Sequence, residues 1–331
     1  MSSNTNFSPL FLLSTGVIVG AAATYFHLGA TTNVSSSSSS SNTNSTNSQN
    51  SNTNTPRRKT ITANSGQTTA RESTPVTRTG KLSVGTSNNL AGKVVVVVGA
   101  KSKIGIAICR AVHSAGAKVV MADSRLESLK KICDNLNNGT GEDSPASRIH
   151  APPKSAAVVM TDVTSDQSVK RLARKTIEEF GTVDTVVNIA GYQKRSLLKD
   201  CEEKEWSKTM NINCKGLLNI FGAFLPTMVE NESGQIISVS SEASSTFYPK
   251  LTLYGATKQF VETISNGANR ELSELGIQVT TIQAGDCKEE LEGSIGCIDG
   301  EEEFSQLNPA DVADAVLFAA TSSAEVKSVK V

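Results

Sequence analysis

The chain has 331 residues, 38% of them apolar and 19% charged, with 32 basic and 32 acidic side chains that cancel to a formal net charge of zero. That length and apolar content allow one large domain with extensions. No basic patch interleaved with aromatics occurs after residue 90, which argues against a nucleic-acid partner. The six cysteines (Cys109, Cys133, Cys201, Cys214, Cys287, Cys297) show no C-x-x-C spacing, and only three histidines accompany them, which argues against a metal site or a disulfide framework.

In chain order, residues 7–30 contain no Asp, Glu, Lys or Arg over a length that can span a bilayer core. We read 1–30 as a hydrophobic segment that anchors the chain in a membrane. A secretory signal is the main rival, because Ala21, Ala22 and Ala23 offer small residues, although the opening MSSNTN lacks the basic start of such signals. An organellar targeting segment is a third reading, disfavoured by the scarcity of Arg near the start. Residues 31–89 are rich in Ser, Asn and Thr and cannot bury enough apolar surface to offset the entropy of ordering, so a disordered tether is expected. This N-terminal part carries six basic residues (Arg57, Arg58, Lys59, Arg71, Arg78, Lys81) and one acid, Glu72, which leaves the remainder at −5. Its basic half suits an anionic cytosolic leaflet and sets the following domain on the cytosolic side. Asn33 and Asn44 stand in glycosylation sequons, which arise by chance in Ser/Asn-rich text.

Residues 90–331 alternate apolar runs with helical stretches, the pattern of βαβ units. Strands are expected at 93–98, 118–122, 157–160, 185–188, 235–240, 278–283 and 326–331. With right-handed crossovers they give an α/β fold: a doubly wound, Rossmann-type, seven-stranded parallel sheet with helices on both faces. The Gly/Pro/Asn-rich stretch 137–154 reads as a surface insertion. Residues 286–304 are acidic, and either form a solvated loop or face a substrate, where they would oppose a carboxylate. Cys109 falls in an apolar helix and is most simply core, whereas Cys287 and Cys297 flank that acidic segment.

The run KVVVVV at 93–98 is followed at once by Gly99, Ala100, Lys101, Ser102, Lys103, Ile104 and Gly105. A buried strand, a Gly-rich turn and a helix make a dinucleotide cradle, with the pyrophosphate over the helix N-terminus. Two glycines alone also fit an ordinary strand-to-helix turn. Asp123 ends the next strand about twenty residues on, where a carboxylate can bond the adenosine ribose hydroxyls and repel a 2′-phosphate, favouring NAD over NADP. Lys101, Lys103 and Arg125 pull the other way, since each can neutralise an extra phosphate. Asp123 also fits a helix N-cap.

Farther along, Tyr254 and Lys258 are spaced i, i+4, one face of a helix, and Ser241 and Asn213 precede them. A tyrosine ionises near pH ~10, and a cation within ~4–6 Å favours the phenolate, so such a pair can exchange a proton at neutral pH. The plain alternative is a solvated helix face. Ser241 ends the strand 235–240, where open α/β sheets place ligands, and can bond a carbonyl oxygen; it can also merely cap the next segment.

Together these residues resemble the short-chain dehydrogenase/reductase family, from about Leu90 to the C-terminus. The segments LPTM (225–228), YGATK (254–258), GIQVTTI (276–282) and NPADVADAV (308–316) are similar to its serine/3-hydroxy acid dehydrogenase-like branch. The resemblance implies NAD(P)-dependent hydride transfer between a small carbonyl and its alcohol. Tyr254 is then the general acid and base, Ser241 orients the substrate, Lys258 holds the cofactor ribose, and Asn213 positions a water that relays protons to Lys258. It further implies cofactor contacts at Gly99, Lys101, Lys103, Ile104, Gly105, Asp123, Asp162, Val163, Asn188, Ala190, Gly191, Tyr254, Lys258 and Gly285, no metal, and a homodimer or homotetramer. The chain departs from the family pattern at four places. Lys103 replaces the middle glycine, and either impedes the pyrophosphate or contacts it as a point charge. Ile189 replaces the second Asn of Asn-Asn-Ala-Gly, Ala284 replaces the Pro before Gly285, and Ser124 stands where NADP users usually carry Arg. Lys103, Ile189 and Ala284 motivate a rival reading, a membrane-tethered NAD(P)-binding module without turnover; a third reading, an interaction platform whose paired helices dimerise, follows from the resemblance, since the family often assembles through the helix carrying its Tyr and Lys.

Overall fold

In the computed structural model the described residues are 76–77, 89–139, 154–285 and 307–331. The proposed anchor 7–30, nearly all of the tether 31–89, residues 140–153 of the insertion, and the acidic segment with Cys287 and Cys297 lie outside them.

The eight strands are β1 (Val76–Thr77), β2 (Val94–Val98), β3 (Lys118–Asp123), β4 (Ala156–Met160), β5 (Thr185–Asn188), β6 (Gly234–Ser241), β7 (Ile277–Ala284) and β8 (Ser328–Lys330). They form one sheet in the order β1-β8-β7-β6-β5-β2-β3-β4, and every pairing is parallel. All seven expected strands are present, β8 being shorter than its apolar run. The eighth strand, the two-residue β1, falls inside 31–89, where Val76 and Thr77 pair with Val329 and Lys330 at the sheet edge. Two residues leave too short a periodic signal to read.

The helices are α1 (Lys103–Ser114), α2 (Glu127–Asn138), α3 (Asp166–Phe180), α4 (Glu203–Met210), α5 (Gly216–Glu230), α6 (Thr252–Leu272) and α7 (Pro309–Thr321). A parallel sheet wound on both sides needs strands apolar on both faces, and all five valines of β2 are buried. Alternation splits them between two cores. Val95 and Val97 share one with Ile108 and Val112 of α1, Leu129 of α2 and Val312 and Val316 of α7. Val96 and Val98 share the other with Leu172 of α3, Leu217, Phe221 and Phe224 of α5 and Val261 of α6.

Helix α4 runs into α5 through a π-helical turn, Asn211–Lys215. The joined run Glu203–Glu230 has 28 residues and contains an 18-residue window with a mean hydropathy of 1.2, enough by length and composition to cross a membrane. Leu217, Ile220, Phe224 and Met228 are buried in the second core, however, and account for its apolarity as a helix packed on the sheet. At the other sheet edge, Asn137 sits in the last turn of α2 rather than in the expected loop. Its Oδ1 accepts from the backbone N–H of Ser155 and Ala156 at 2.9 and 2.8 Å, and its Nδ2 donates to the Ala156 carbonyl at 3.0 Å. One side chain thus fixes where β4 begins on both sides of the insertion.

Strand order reverses between β2 and β5, which opens a crevice beyond their carboxyl ends. Asn137→Ala strands two buried N–H groups and a carbonyl, so a loss of about 2–4 kcal/mol is expected. A urea transition with a lower midpoint and unchanged slope would show it.

Candidate active site

The Gly-rich turn lies at that crevice. Gly99 has φ +89°, and a Cβ there would lie 2.7 Å from the Ala190 nitrogen; a Cβ on Gly105 would lie 2.7 Å from the Ala100 Cα and the Gly99 carbonyl oxygen. Only glycine lets the turn close against β5 and α1 pack on it. Ser102 caps α1, its Oγ accepting from the Gly105 N–H at 2.9 Å and lying 3.1 Å from the Gly99 carbonyl oxygen. Lys103 is the first residue of α1, with an exposed side chain and no positive φ. A helical backbone needs no glycine there, and the exposed side chain does not fill the crevice.

Asp123 is not a helix cap. Its Oδ2 accepts from the Lys101 N–H of the Gly-rich turn at 3.1 Å, and Oδ1 from the Arg125 N–H at 3.3 Å, while α2 starts after Leu126 with no side-chain cap. The carboxylate therefore ties the end of β3 to the phosphate-side turn. Asp162 is exposed and accepts from the Thr164 N–H and hydroxyl at 2.9 and 2.8 Å. Val163 follows, packed where a Cβ on Gly216 would lie 3.1 Å from its Cγ2.

At the end of β5, buried Asn188 accepts from the Ala190 N–H at 3.2 Å. Ile189 turns into the first apolar core and Ala284 is buried in the same core, so both departures from the family pattern are packing substitutions there. Gly285 N–H donates to the Val331 carbonyl at 3.0 Å. The features that motivated a binding-only module are thus accommodated by the fold and give that rival no support. A helix N-terminus at the strand switch, two obligatory glycines and a carboxylate at the end of β3 fit a dinucleotide.

The quartet converges on the same crevice. Tyr254 and Lys258 lie on the buried face of α6, 6% and 5% exposed, with Lys258 Nζ 5.6 Å from the tyrosine ring centroid, so the solvated-face reading fails. Lys258 Nζ donates to the Val239 carbonyl at 3.0 Å. Burial pushes its ammonium down from 10.5 to about 8, against the attraction of Cys214 and Glu262. A Cβ on Gly191 would stand 3.7 Å from Lys258 Nζ and 3.8 Å from Asn213 Oδ1, so both groups border the segment after β5. Ser241 Oγ caps the 3-10 turn Glu242–Ser244 by accepting from the Ala243 N–H at 3.2 Å, and its own hydrogen has no acceptor among the described residues. Capping and substrate bonding are compatible.

Asn213 is placed by the π turn, a deviation often found at functional sites. Its Oδ1 accepts from the Tyr192 N–H at 2.8 Å, and Nδ2 donates to the Tyr192 carbonyl at 3.0 Å and Thr257 Oγ1 at 2.9 Å. Both amide hydrogens are therefore committed to protein, and the side chain holds the segment after β5 against α6. Sequence reasoning missed three groups here. Ser102 was legible as a hydroxyl three residues before Gly105. Tyr192, whose hydroxyl donates to Glu205 at 2.6 Å under the Lys208 ammonium, gave no signal. The Tyr192 bond holds the Glu205 carboxyl below its ordinary value against the opposing effect of desolvation, with Lys194, Lys208 and Lys204 adding to the lowering. Glu262, one turn beyond Lys258, was legible only as a further i, i+4 step.

Lys258 titrates at about 8 folded and 10.5 unfolded, so its burial opposes folding fully below pH 8 and not at all above 10.5. Lys258→Met should therefore be more stable than the wild type at pH 7 by about 1–3 kcal/mol, the loss of the Val239 bond offsetting part of the gain. That advantage should shrink between pH 8 and 10.5, as measured by chemical denaturation.

A family profile described as short chain dehydrogenase matches residues 93–296. An uncharacterized oxidoreductase of Staphylococcus aureus strain MW2 is 35% identical over 237 residues, which span 72% of this chain and 94% of the relative. Among solved structures, the closed form of a serine dehydrogenase complexed with NADP+ is 27% identical with a TM-score of 0.61, covering 72% of this chain and 94% of that one. A 3-ketoacyl-(acyl-carrier-protein) reductase from Brucella melitensis complexed with NADH has a TM-score of 0.64 at 22% identity, covering 73% and 97%, a likeness of fold. With the profile spanning more than half of the sequence and the crevice built as described, the chain belongs to the short-chain dehydrogenase family.

Proposed function

We propose that the chain transfers hydride reversibly between a nicotinamide cofactor and a small carbonyl compound or its alcohol, with Tyr254 as the general acid and base. Family membership makes it an NAD(P)-dependent oxidoreductase; the substrate class and the residue roles are the reading advanced here. The observation that carries it is the pairing of Tyr254 and Lys258 on the buried face of α6 beside the β5 end.

Gly99, Gly105, the N-terminus of α1 and Asp123 would hold the cofactor, with Asn188, Ala190 and Gly191 under its nicotinamide end. The nicotinamide supplies hydride when bound. Tyr254 delivers a proton to the substrate oxygen in reduction and takes it back in oxidation. The Lys258 ammonium stabilises the phenolate left behind, and the Ser241 hydrogen bonds the substrate oxygen. Because both Asn213 amide hydrogens are committed, its part is to keep Tyr192 and Thr257 in place around Lys258.

Asp123 supports NAD as the preferred cofactor, since a carboxylate at the end of β3 repels a 2′-phosphate; the similar serine dehydrogenase structure holds NADP+. Anchoring through 7–30, with the 90–331 domain in the cytosol, rests on the uncharged N-terminal run and the basic residues after it. Assembly as a homodimer or homotetramer is supported by Trp206, Met210 and Leu218, all exposed along the α4–α5 run.

Tyr254→Phe in the full-length chain should lower turnover of a carbonyl panel by about 10²–10⁴-fold and leave NADH affinity within a few-fold. Full turnover in that variant would refute the assignment. Asp123→Asn keeps an oxygen for the Lys101 N–H and removes the charge, so calorimetry should show NADPH binding strengthened about tenfold or more relative to NADH.

A further inference from the structure

We propose that Glu262 is a positioning residue for the quartet: its carboxylate fixes the turn that presents Ser241 and supplies the counter-charge of the buried Lys258 ammonium. Tyr254, Lys258 and Glu262 are spaced four residues apart, three successive positions on one face of α6. Glu262 Oε1 accepts from the Ser244 hydroxyl at 2.5 Å, lies 2.8 Å from the Ser240 hydroxyl and accepts from Gln283 Nε2 at 3.2 Å. Gln283 Nε2 also reaches Ser244 Oγ at 2.9 Å, and Ser240 Oγ lies 3.2 Å from the Lys258 carbonyl oxygen. One carboxylate oxygen therefore gathers the residue before Ser241, the last residue of the turn that Ser241 caps, and the neighbouring strand β7. Ser240 and Ser244 are 2% and 7% exposed, so little water competes for these bonds.

The same residue bears on charge. The groups facing Lys258 are the Val239 carbonyl from β6, Asn213 and Cys214 from the π turn, Gly191 from the segment after β5, and Tyr254 and Glu262 from its own helix. Besides the Val239 carbonyl, which accepts from it, the ionisable side chains that favour the ammonium are Cys214 and Glu262. Burial raises the Cys214 thiol above its ordinary 9.0, with the Lys258 charge opposing. Cys214 is thus a neutral thiol while Lys258 titrates near 8, and Glu262 is left as the anion that offsets the desolvation of the ammonium.

This inference rests on the proposed roles of Tyr254 and Lys258, yet its test needs no turnover. The full-length chain is labelled with 13C at lysine ε-carbons, the Lys258 signal is assigned by its loss in Lys258→Arg, and its shift is followed against pH. Glu262→Gln should lower the Lys258 midpoint by about half a pH unit or more, and Glu262→Asp should recover most of that shift. Should Glu262→Gln fail to fold, Gln283→Lys, which sets an ammonium against Glu262 Oε1, should move the midpoint in the same direction. A Lys258 midpoint that stays put while the melting temperature falls would assign Glu262 a purely structural role and overturn the proposal. An active Tyr254→Phe enzyme would instead sink the reaction assignment and leave this titration unaffected.

Discussion

The site depends on a lysine ammonium buried at the carboxyl end of a parallel sheet with a single hydrogen-bond acceptor among the described residues, the Val239 carbonyl. Taking a charge out of water opposes folding, and the neighbouring structure can be understood as what keeps that cost tolerable. The β6 end is tied at three successive residues: Val239 to Lys258, Ser240 to Glu262, and Ser241 to its own turn through Ala243. Opposite, the Asn213 amide clamps the segment after β5 to Thr257 of α6. Helix α6 is thereby held from both sides at the level of the pair, which sets the ammonium against the tyrosine ring rather than in solvent. Its lowered pKa keeps it charged below about pH 8 and still able to exchange a proton near neutrality.

Much of this was legible in the sequence, for identifiable reasons. Five consecutive valines leave a strand no polar face, so β2 and its burial on both sides follow directly. The i, i+4 spacing of Tyr254 and Lys258 puts them on one helical face wherever the helix lies. The sequence could not say whether that face is buried, because a Tyr–Lys pair is as compatible with solvent as with a crevice. The π turn at Asn213 was illegible for a different reason: a single wider turn within a helix carries no residue-type signature of its own. Asp123 shows a third limit. Its partner, the Lys101 N–H, is 22 residues away and meets it only once β2 and β3 are paired.

The departures from the family pattern illustrate how one residue type can be required for different physical reasons. Gly99 and Gly105 are obligatory because a Cβ would strike backbone atoms that cannot yield. The middle position lies in regular helix with its side chain exposed, so a lysine costs nothing there in backbone strain. Ile189 and Ala284 face the first core and add apolar area. An eroded motif and an intact cradle are therefore consistent, since a motif records residue types whereas the cradle needs only the turn, the helix terminus and the carboxylate.

Along α6 the polar face continues past the pair. Lys258, Glu262, Ser265 and Asn269 recur at the spacing of a single helical stripe, the one ordinarily apolar in a helix packed on a sheet. Asn269 earns its place by accepting from the Val279 N–H at 2.9 Å and donating to Glu325 at 2.7 Å, which fixes α6 to β7. Ser265, and Ser238 on β6, keep buried hydroxyls with no hydrogen-bond partner among the described residues, each a destabilisation of about 1–3 kcal/mol if left unbonded. Replacing such a stripe with leucines would strengthen the core, but it would also remove the groups that register α6 against β6 and β7. Apolar contacts tolerate sliding, whereas hydrogen bonds of fixed length at Glu262 and Asn269 do not. A helix that must hold a phenol and an ammonium in register with Ser241 gains from that intolerance, so the stability forgone along α6 and the placement of the quartet have one cause.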